Sequence, residues 1–162
     1  MRRTALLLVV SVLSAGPAHA DAARLDWPLR PRPDVVRVFD APRPDWQRGH
    51  RGVDLAGAAG QSVYAAGSAT VVFTGLIGGV PVVSLAHPGG LRTSYQPVSA
   101  SVRPGQRVTA ATVIGVLDAG HPGCGGAACL HWGAMWGPAS HADYVDPLGL
   151  LASTPIRLKP VG

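Results

Sequence analysis

The chain has 162 residues, a formal net charge of +5, 21 glycines, 15 prolines and only 14% charged side chains. The positive excess is diffuse and no basic run is interleaved with aromatics, so the sequence builds no nucleic-acid surface. Glutamate is absent and Lys159 is the one lysine. That excludes a HExxH metalloprotease helix, which needs glutamate as base, and a biotin or lipoyl carrier, whose modified lysine sits on a hairpin tip.

Residues 1–20 read as a secretory signal peptide. Arg2 and Arg3 precede an apolar run from Ala5 to Gly16, and Ala18-His19-Ala20 gives the small-x-small cleavage pattern. The run is shorter than the ~20 apolar residues of a membrane span, and no later segment qualifies. Cleavage would leave the chain outside the cytoplasm with no membrane attachment, where two cysteines, Cys124 and Cys129, suggest one disulfide.

Residues 21–46 carry Pro28, Pro31, Pro33, Pro42 and Pro44. They are expected to run extended over the surface, with one short strand at Val35–Phe39. From Gly52 onward, short runs rich in Val, Tyr, Thr, Ile and Leu alternate with Gly- and Pro-marked turns, the punctuation of strands and hairpins. The pattern predicts strands near Val53–Ala56, Ser62–Ala66, Thr70–Leu76, Val80–His87, Leu91–Gln96, Thr112–Ala119 and Leu130–Trp136. His87-Pro88-Gly89-Gly90 and Val102 to Gln106 read as turns. Tyr144–Leu151 reads as the single helical turn, started by Asp146-Pro147. No segment keeps a 3.6-residue apolar period over several turns, so the expectation is an all-β, antiparallel domain over 47–151 with a tail at 152–162.

Two clusters carry chemistry. One is Gly49-His50-Arg51-Gly52-Val53-Asp54; the other is Cys129-Leu130-His131-Trp132-Gly133. Histidine and carboxylate side chains are zinc ligands, and three protein ligands with an open fourth place mark catalytic rather than structural sites. Strand alternation sends Cys129 and His131 to one face and Trp132 and Trp136 to the other, so the tryptophans read as core. His87 in its hairpin turn reads as structural.

The run HRGVDLAGAAGQSVYAAGSATVVFTG, the later GLRTSYQPVSASVRPGQRVTAATVIGVLDAG, and CLHWG followed by YVDPLGLL together resemble the lysostaphin-type (LytM) zinc endopeptidases that cut peptidoglycan. The likeness runs from about Trp27 to Leu151. It implies a twisted antiparallel β-sheet of the LytM, duplicated hybrid motif type, with zinc held by His50, Asp54 and His131. It implies peptidoglycan as partner and location at the cell wall; the chain itself is expected to act as a monomer. The family's two proton-moving histidines fall on Pro97 and Cys129 in this sequence. Cys129 is either a titrating neighbour of the metal or is tied to Cys124 in a disulfide. A replacement acid–base group is then needed: His121 is the first candidate, with His141 behind it, and Tyr95 could hydrogen-bond an oxyanion. Two functions stay open: a zinc metalloendopeptidase, and a non-catalytic wall-binding or regulatory module that keeps the metal.

Overall fold

The computed structural model describes residues 24–44, 47–121 and 123–152. The proposed leader 1–20 and nearly all of the tail lie outside these residues. Eleven strands form in chain order: β1 Val35–Arg37, β2 Val53–Gly57, β3 Ser62–Tyr64, β4 Ala69–Ile77, β5 Val80–Ala86, β6 Leu91–Gln96, β7 Val98–Ala100, β8 Arg107–Val108, β9 Val113–Leu117, β10 Ala128–Trp136 and β11 Asp143–Val145. The larger sheet runs β1-β2-β10-β6-β5-β4-β8, with β11 also on β10, and a second sheet runs β3-β9-β7. All these pairings are antiparallel. The all-β, antiparallel architecture expected from the turn-punctuated sequence is the one observed. Among the described residues no helix is long and apolar enough to cross a membrane.

Alternation in the sequence sets which face each strand buries. In β6, Leu91, Thr93 and Tyr95 are buried while Arg92, Ser94 and Gln96 are partly exposed. In β10, Leu130, Trp132 and Ala134 are buried on the same side of the sheet. The core therefore lies behind β6 and β10, around Leu55, Leu85, Tyr95, Leu117 and Trp132. The opposite face of β6 and β10 is left for function. The β4–β5 hairpin turns through Gly78 and Gly79, both at positive φ (58° and 82°). Such a two-residue turn matches the twist of the strands and excludes side chains that resist that conformation.

Two expectations change. The proline-rich N-terminal segment is extended, but it is not confined to the surface. Leu25 and Leu29 are completely or almost completely buried. Leu25 donates its N–H to the Leu150 carbonyl at 2.8 Å and accepts from Ala152 at 2.8 Å. Trp27 packs on Trp132, ring centroids 6.5 Å apart. The prolines interrupt the sequence pattern without preventing apolar side chains between them from turning inward. The helical turn expected over Tyr144–Leu151 is shorter and is not the single one: Tyr144 belongs to β11, a 3-10 turn spans Pro147–Leu150, and others form at Pro88–Gly90 and Ala139–His141. The Asp146 carboxylate caps that turn by accepting from the Leu148 N–H at 2.9 Å, a donor that the turn would otherwise leave unpaired.

His87 is structural, as its place in a hairpin turn suggests. Its Nδ1 faces the Ser68 carbonyl at 3.1 Å and its Nε2 lies 2.8 Å from the Thr93 hydroxyl. The Thr93 hydroxyl in turn lies 3.0 Å from that of Tyr95. Burial pushes the His87 imidazole below its ordinary pKa, because taking a cation out of water costs more than the Ser68 contact returns. The folded protein thus favours neutral His87 while the unfolded chain protonates near ~6.5. Stability contributed this way is fully present above that value and is lost as pH falls below it. Thermal melts should show Tm dropping between pH 7 and 5, with a shallower drop in His87→Gln; equal slopes for the two proteins would remove His87 from this role.

Candidate metal centre

The antiparallel register of β2 and β10 places Asp54 directly opposite His131. Directly paired residues share a face with Cβ atoms about 4.5–5.5 Å apart, so short polar side chains there must meet. His50 arrives from the segment before β2. An isolated bridge to Asp40 fixes its backbone, and its Nδ1–H donates to the Val38 carbonyl at 2.7 Å. That bond orients the ring and turns Nε2 toward Asp54. A ligand histidine is held by the same device at metal sites, its second nitrogen engaged by a carbonyl or carboxylate.

Three donor atoms converge. His50 Nε2 lies 2.9 Å from Asp54 Oδ1 and 3.0 Å from His131 Nδ1, and His131 Nδ1 lies 2.9 Å from the same Oδ1. Asp54 is fully buried and His50 nearly so. Burial alone would raise the Asp54 carboxyl, but hydrogen bonds from His121 and His131 and the charge of His50 outweigh it. The group is held well below the usual carboxylate range and stays anionic through mild acid. Its other oxygen, Oδ2, is buried without a hydrogen-bond partner. Two imidazole nitrogens and a carboxylate aimed at one point, with an unsatisfied oxygen beside them, fit a small borderline cation, and this donor set suits zinc.

Gly52 makes room for the group. A Cβ there would come within 2.7 Å of His131 Nε2 and 2.5 Å of the Trp132 carbonyl oxygen, so any larger residue would push the histidine off its position.

His121, the first replacement candidate, is at the centre. Its Nε2 lies 3.3 Å from Asp54 Oδ1 and its side chain is only 10% exposed. Its ring sits against that of His131, centroids 5.5 Å apart and tilted by 31°. The loop that carries it is closed by a disulfide between Cys124 and Cys129, Cα atoms 5.7 Å apart. The Cys124 N–H returns to the His121 carbonyl at 3.2 Å. Cys129 is buried on the His131 side of β10 with its sulfur in that bond, so it offers neither a thiolate ligand nor a proton.

The other candidates lie elsewhere. Tyr95 belongs to the core instead of the site. It pairs with Trp132 on the inward face, one step out of phase with His131, and its hydroxyl accepts from the Ala66 N–H at 3.0 Å. Buried in this way it is pushed up to about 12, by burial above all, and offers no donor to an oxyanion on the far face. His141 is exposed beside Ser140, its Nδ1 3.1 Å from that hydroxyl. Pro97 directly follows Gln96, the β6 residue opposite His131, and brings no acid–base group. The Val38 carbonyl, which orients His50, carries no signal in the sequence, because any residue provides a carbonyl.

The model of peptidase family M23 matches residues 48–147. Proteins of Mycobacterium tuberculosis and Mycobacterium bovis, both described as uncharacterized, are 73% identical over 161 residues. The match covers 99% of this chain and 65% of theirs, so the chain spans about two thirds of the length of these relatives. Among solved structures, Helicobacter pylori Csd3 superposes with a TM-score of 0.63 at 24% identity, covering 84% of this chain and 37% of that one. The catalytic domain of the antimicrobial peptidase lysostaphin from Staphylococcus simulans gives 0.61 at 25% identity, covering 75% and 93%.

Two measurements follow from this geometry. Protein purified without a metal-affinity tag should contain about one zinc per chain, and His131→Ala or Asp54→Asn should lose most of it; full zinc in either variant would break the assignment. Thiol labelling should modify neither cysteine before reduction and both after it. Reduction should lower stability by about 2 kcal/mol, the scale for so short a closed loop, and free thiols in the unreduced protein would contradict the loop closure.

Proposed function

The chain belongs to peptidase family M23, and on that premise we propose that it is a secreted zinc metalloendopeptidase that hydrolyses peptide bonds of peptidoglycan. The observation that carries the reading is the convergence of His50 Nε2, Asp54 Oδ1 and His131 Nδ1, with His121 Nε2 beside the same carboxylate oxygen. Lysostaphin, described as a peptidase, shares the fold over most of this chain. With the proposed leader at 1–20 removed, the reaction takes place outside the cytoplasm at the cell wall, and the protein acts as a monomer.

His50, Asp54 and His131 would hold the ion, and Asp54 would supply the charge that keeps it. Bound zinc supplies a Lewis acid that polarises a carbonyl and makes water nucleophilic near neutral pH. His121 does the proton work that Pro97 and Cys129 are unable to do. The His121 imidazole takes a proton as the nucleophile attacks, and returns it to the amine nitrogen that leaves. Imidazole suits both directions because its titration range lies near neutrality. The disulfide matters here because it keeps His121 turned toward His131 instead of letting the glycine-rich loop swing out.

A second reading has an observation of its own. Both positions where the resemblance puts proton-moving histidines are changed, to Pro97 and to the disulfide-bonded Cys129. A domain that kept its metal for folding and bound the wall without cutting it would show the same replacements. Purified peptidoglycan incubated with the zinc-containing protein should release free amines. His121→Ala should slow release by about 10²-fold with zinc content and folding unchanged, the usual worth of a positioned acid–base group. Cleavage unaffected in that variant would remove His121 from the mechanism. Zinc-loaded wild type that sediments with walls and releases no amine would establish the binding module.

A further inference from the structure

A groove of about 440 Å³ opens on the working face of the larger sheet, beginning at Gln96 and Gly133 beside His131 and ending at Arg92, Met135 and Tyr144. The register makes it one continuous track. His131 pairs with Gln96, Gly133 with Ser94, and Met135 with Arg92, so these residues share a face. Ser84 pairs with Ser94 and carries the floor onto β5. Gly133 keeps the floor open, since a Cβ there would sit 2.7 Å from the Ser94 hydroxyl. The outer wall is apolar and exposed, with Phe73 36% and Ile77 58% accessible.

Arg92 is the one charged residue lining this groove. It is partly buried, and no described carboxylate, carbonyl or aromatic ring engages its guanidinium. Its neighbours differ. Arg51 lies over the Tyr144 ring at 5.6 Å and donates to the Gln47 carbonyl. Arg43 pairs with Asp143. A half-buried, unpartnered arginine at the end of an apolar groove has the fork geometry that binds a carboxylate through two hydrogen bonds.

We propose that Arg92 binds a carboxylate of an extended peptide laid along β6 and β10, and that it thereby selects acidic peptides at the metal centre. Arg92 and Gln96 are four residues apart on a strand, which is about 13 Å. The carboxylate would therefore lie three or four residues from the bond held at His50, Asp54 and His131. Phe73 and Ile77 cover the alkyl side chains between, while Ser84 and Ser94 offer hydroxyls to the peptide backbone. This inference rests on the peptidase reading for the bond at the metal, but the carboxylate preference is a property of binding alone.

The test separates the two. Binding of an alanine pentapeptide with a free C-terminal carboxylate, and of its C-terminal amide, is measured by calorimetry on the native protein. Product analysis of the same samples reports any cleavage. The acid should bind about tenfold or more tightly than the amide, the worth of a charge-assisted pair. Arg92→Gln should abolish the difference, and Arg92→Lys should retain part of it, with zinc content and circular dichroism unchanged in both. A preference that survives in Arg92→Gln would mean that the metal or another group binds the carboxylate, and would overturn the proposal. Equal affinity for acid and amide in wild type, or no binding of either, would overturn it as well. A carboxylate preference without cleavage would leave Arg92 in this role and remove the peptidase reading.

Discussion

The pairing of Asp54 with His131 across β2 and β10 is the constraint on which the rest of the structure depends. A slip of one residue in that register would send the whole polar set of one strand into the core and its apolar set to the groove. The apolar residues enforce the register. Leu130, Trp132 and Ala134 bury on one side only if His131 points to the other. The core thus decides where the candidate metal ligands stand, and they need no contribution of their own to fold into place.

What the ligands do contribute is electrostatic cost. Asp54 is a completely buried carboxylate, and two imidazole nitrogens face it at 2.9 Å. Taking a carboxylate out of water costs several kcal/mol unless hydrogen bonds and opposite charge offset it. Apolar packing at this spot would be the stabler solution for folding alone. The chain instead spends a glycine at Gly52, a backbone carbonyl at Val38 and a disulfide at Cys124–Cys129 on holding polar atoms together. All three act on positions: Gly52 clears space beside His131, Val38 orients the His50 ring, and the disulfide turns the His121 loop over the group. The same sheet face then continues past Gln96 and Gly133 toward Arg92, so one alternation of side chains supplies both the candidate metal centre and a groove leading to it.

The sequence was informative where chemistry and periodicity coincide. His50, Asp54 and His131 stand in short motifs whose residue types are ligand types, and the phase of β10 separates His131 from Trp132 without further knowledge. His121 was legible only through the cysteines, because closing the Cys124–Cys129 loop folds a distant histidine back on the strand. Tyr95 was read toward the site, yet the β6 alternation already puts it in phase with Leu91 and Thr93, which the core claims. The short strands β7, β8 and β11 have two or three residues each, too few to show a period. The inward turn of Leu25 and Leu29 was hidden by the surrounding prolines, which signal extended backbone but say nothing about which side chains face inward. Arg92 had no local signal at all, since what singles it out is a register shared with β10 and the lack of a partner among the described residues.

X-ray absorption at the zinc edge of the native, untagged protein tests the central claim most directly, because it reads the ligand atoms themselves. The account predicts a first shell of nitrogen and oxygen only, near ~2.0–2.1 Å, with the outer-shell scattering of at least two imidazoles. A sulfur shell near ~2.3 Å would place a cysteine on the metal, and a spectrum without imidazole scattering would remove His50 and His131; either result would contradict it.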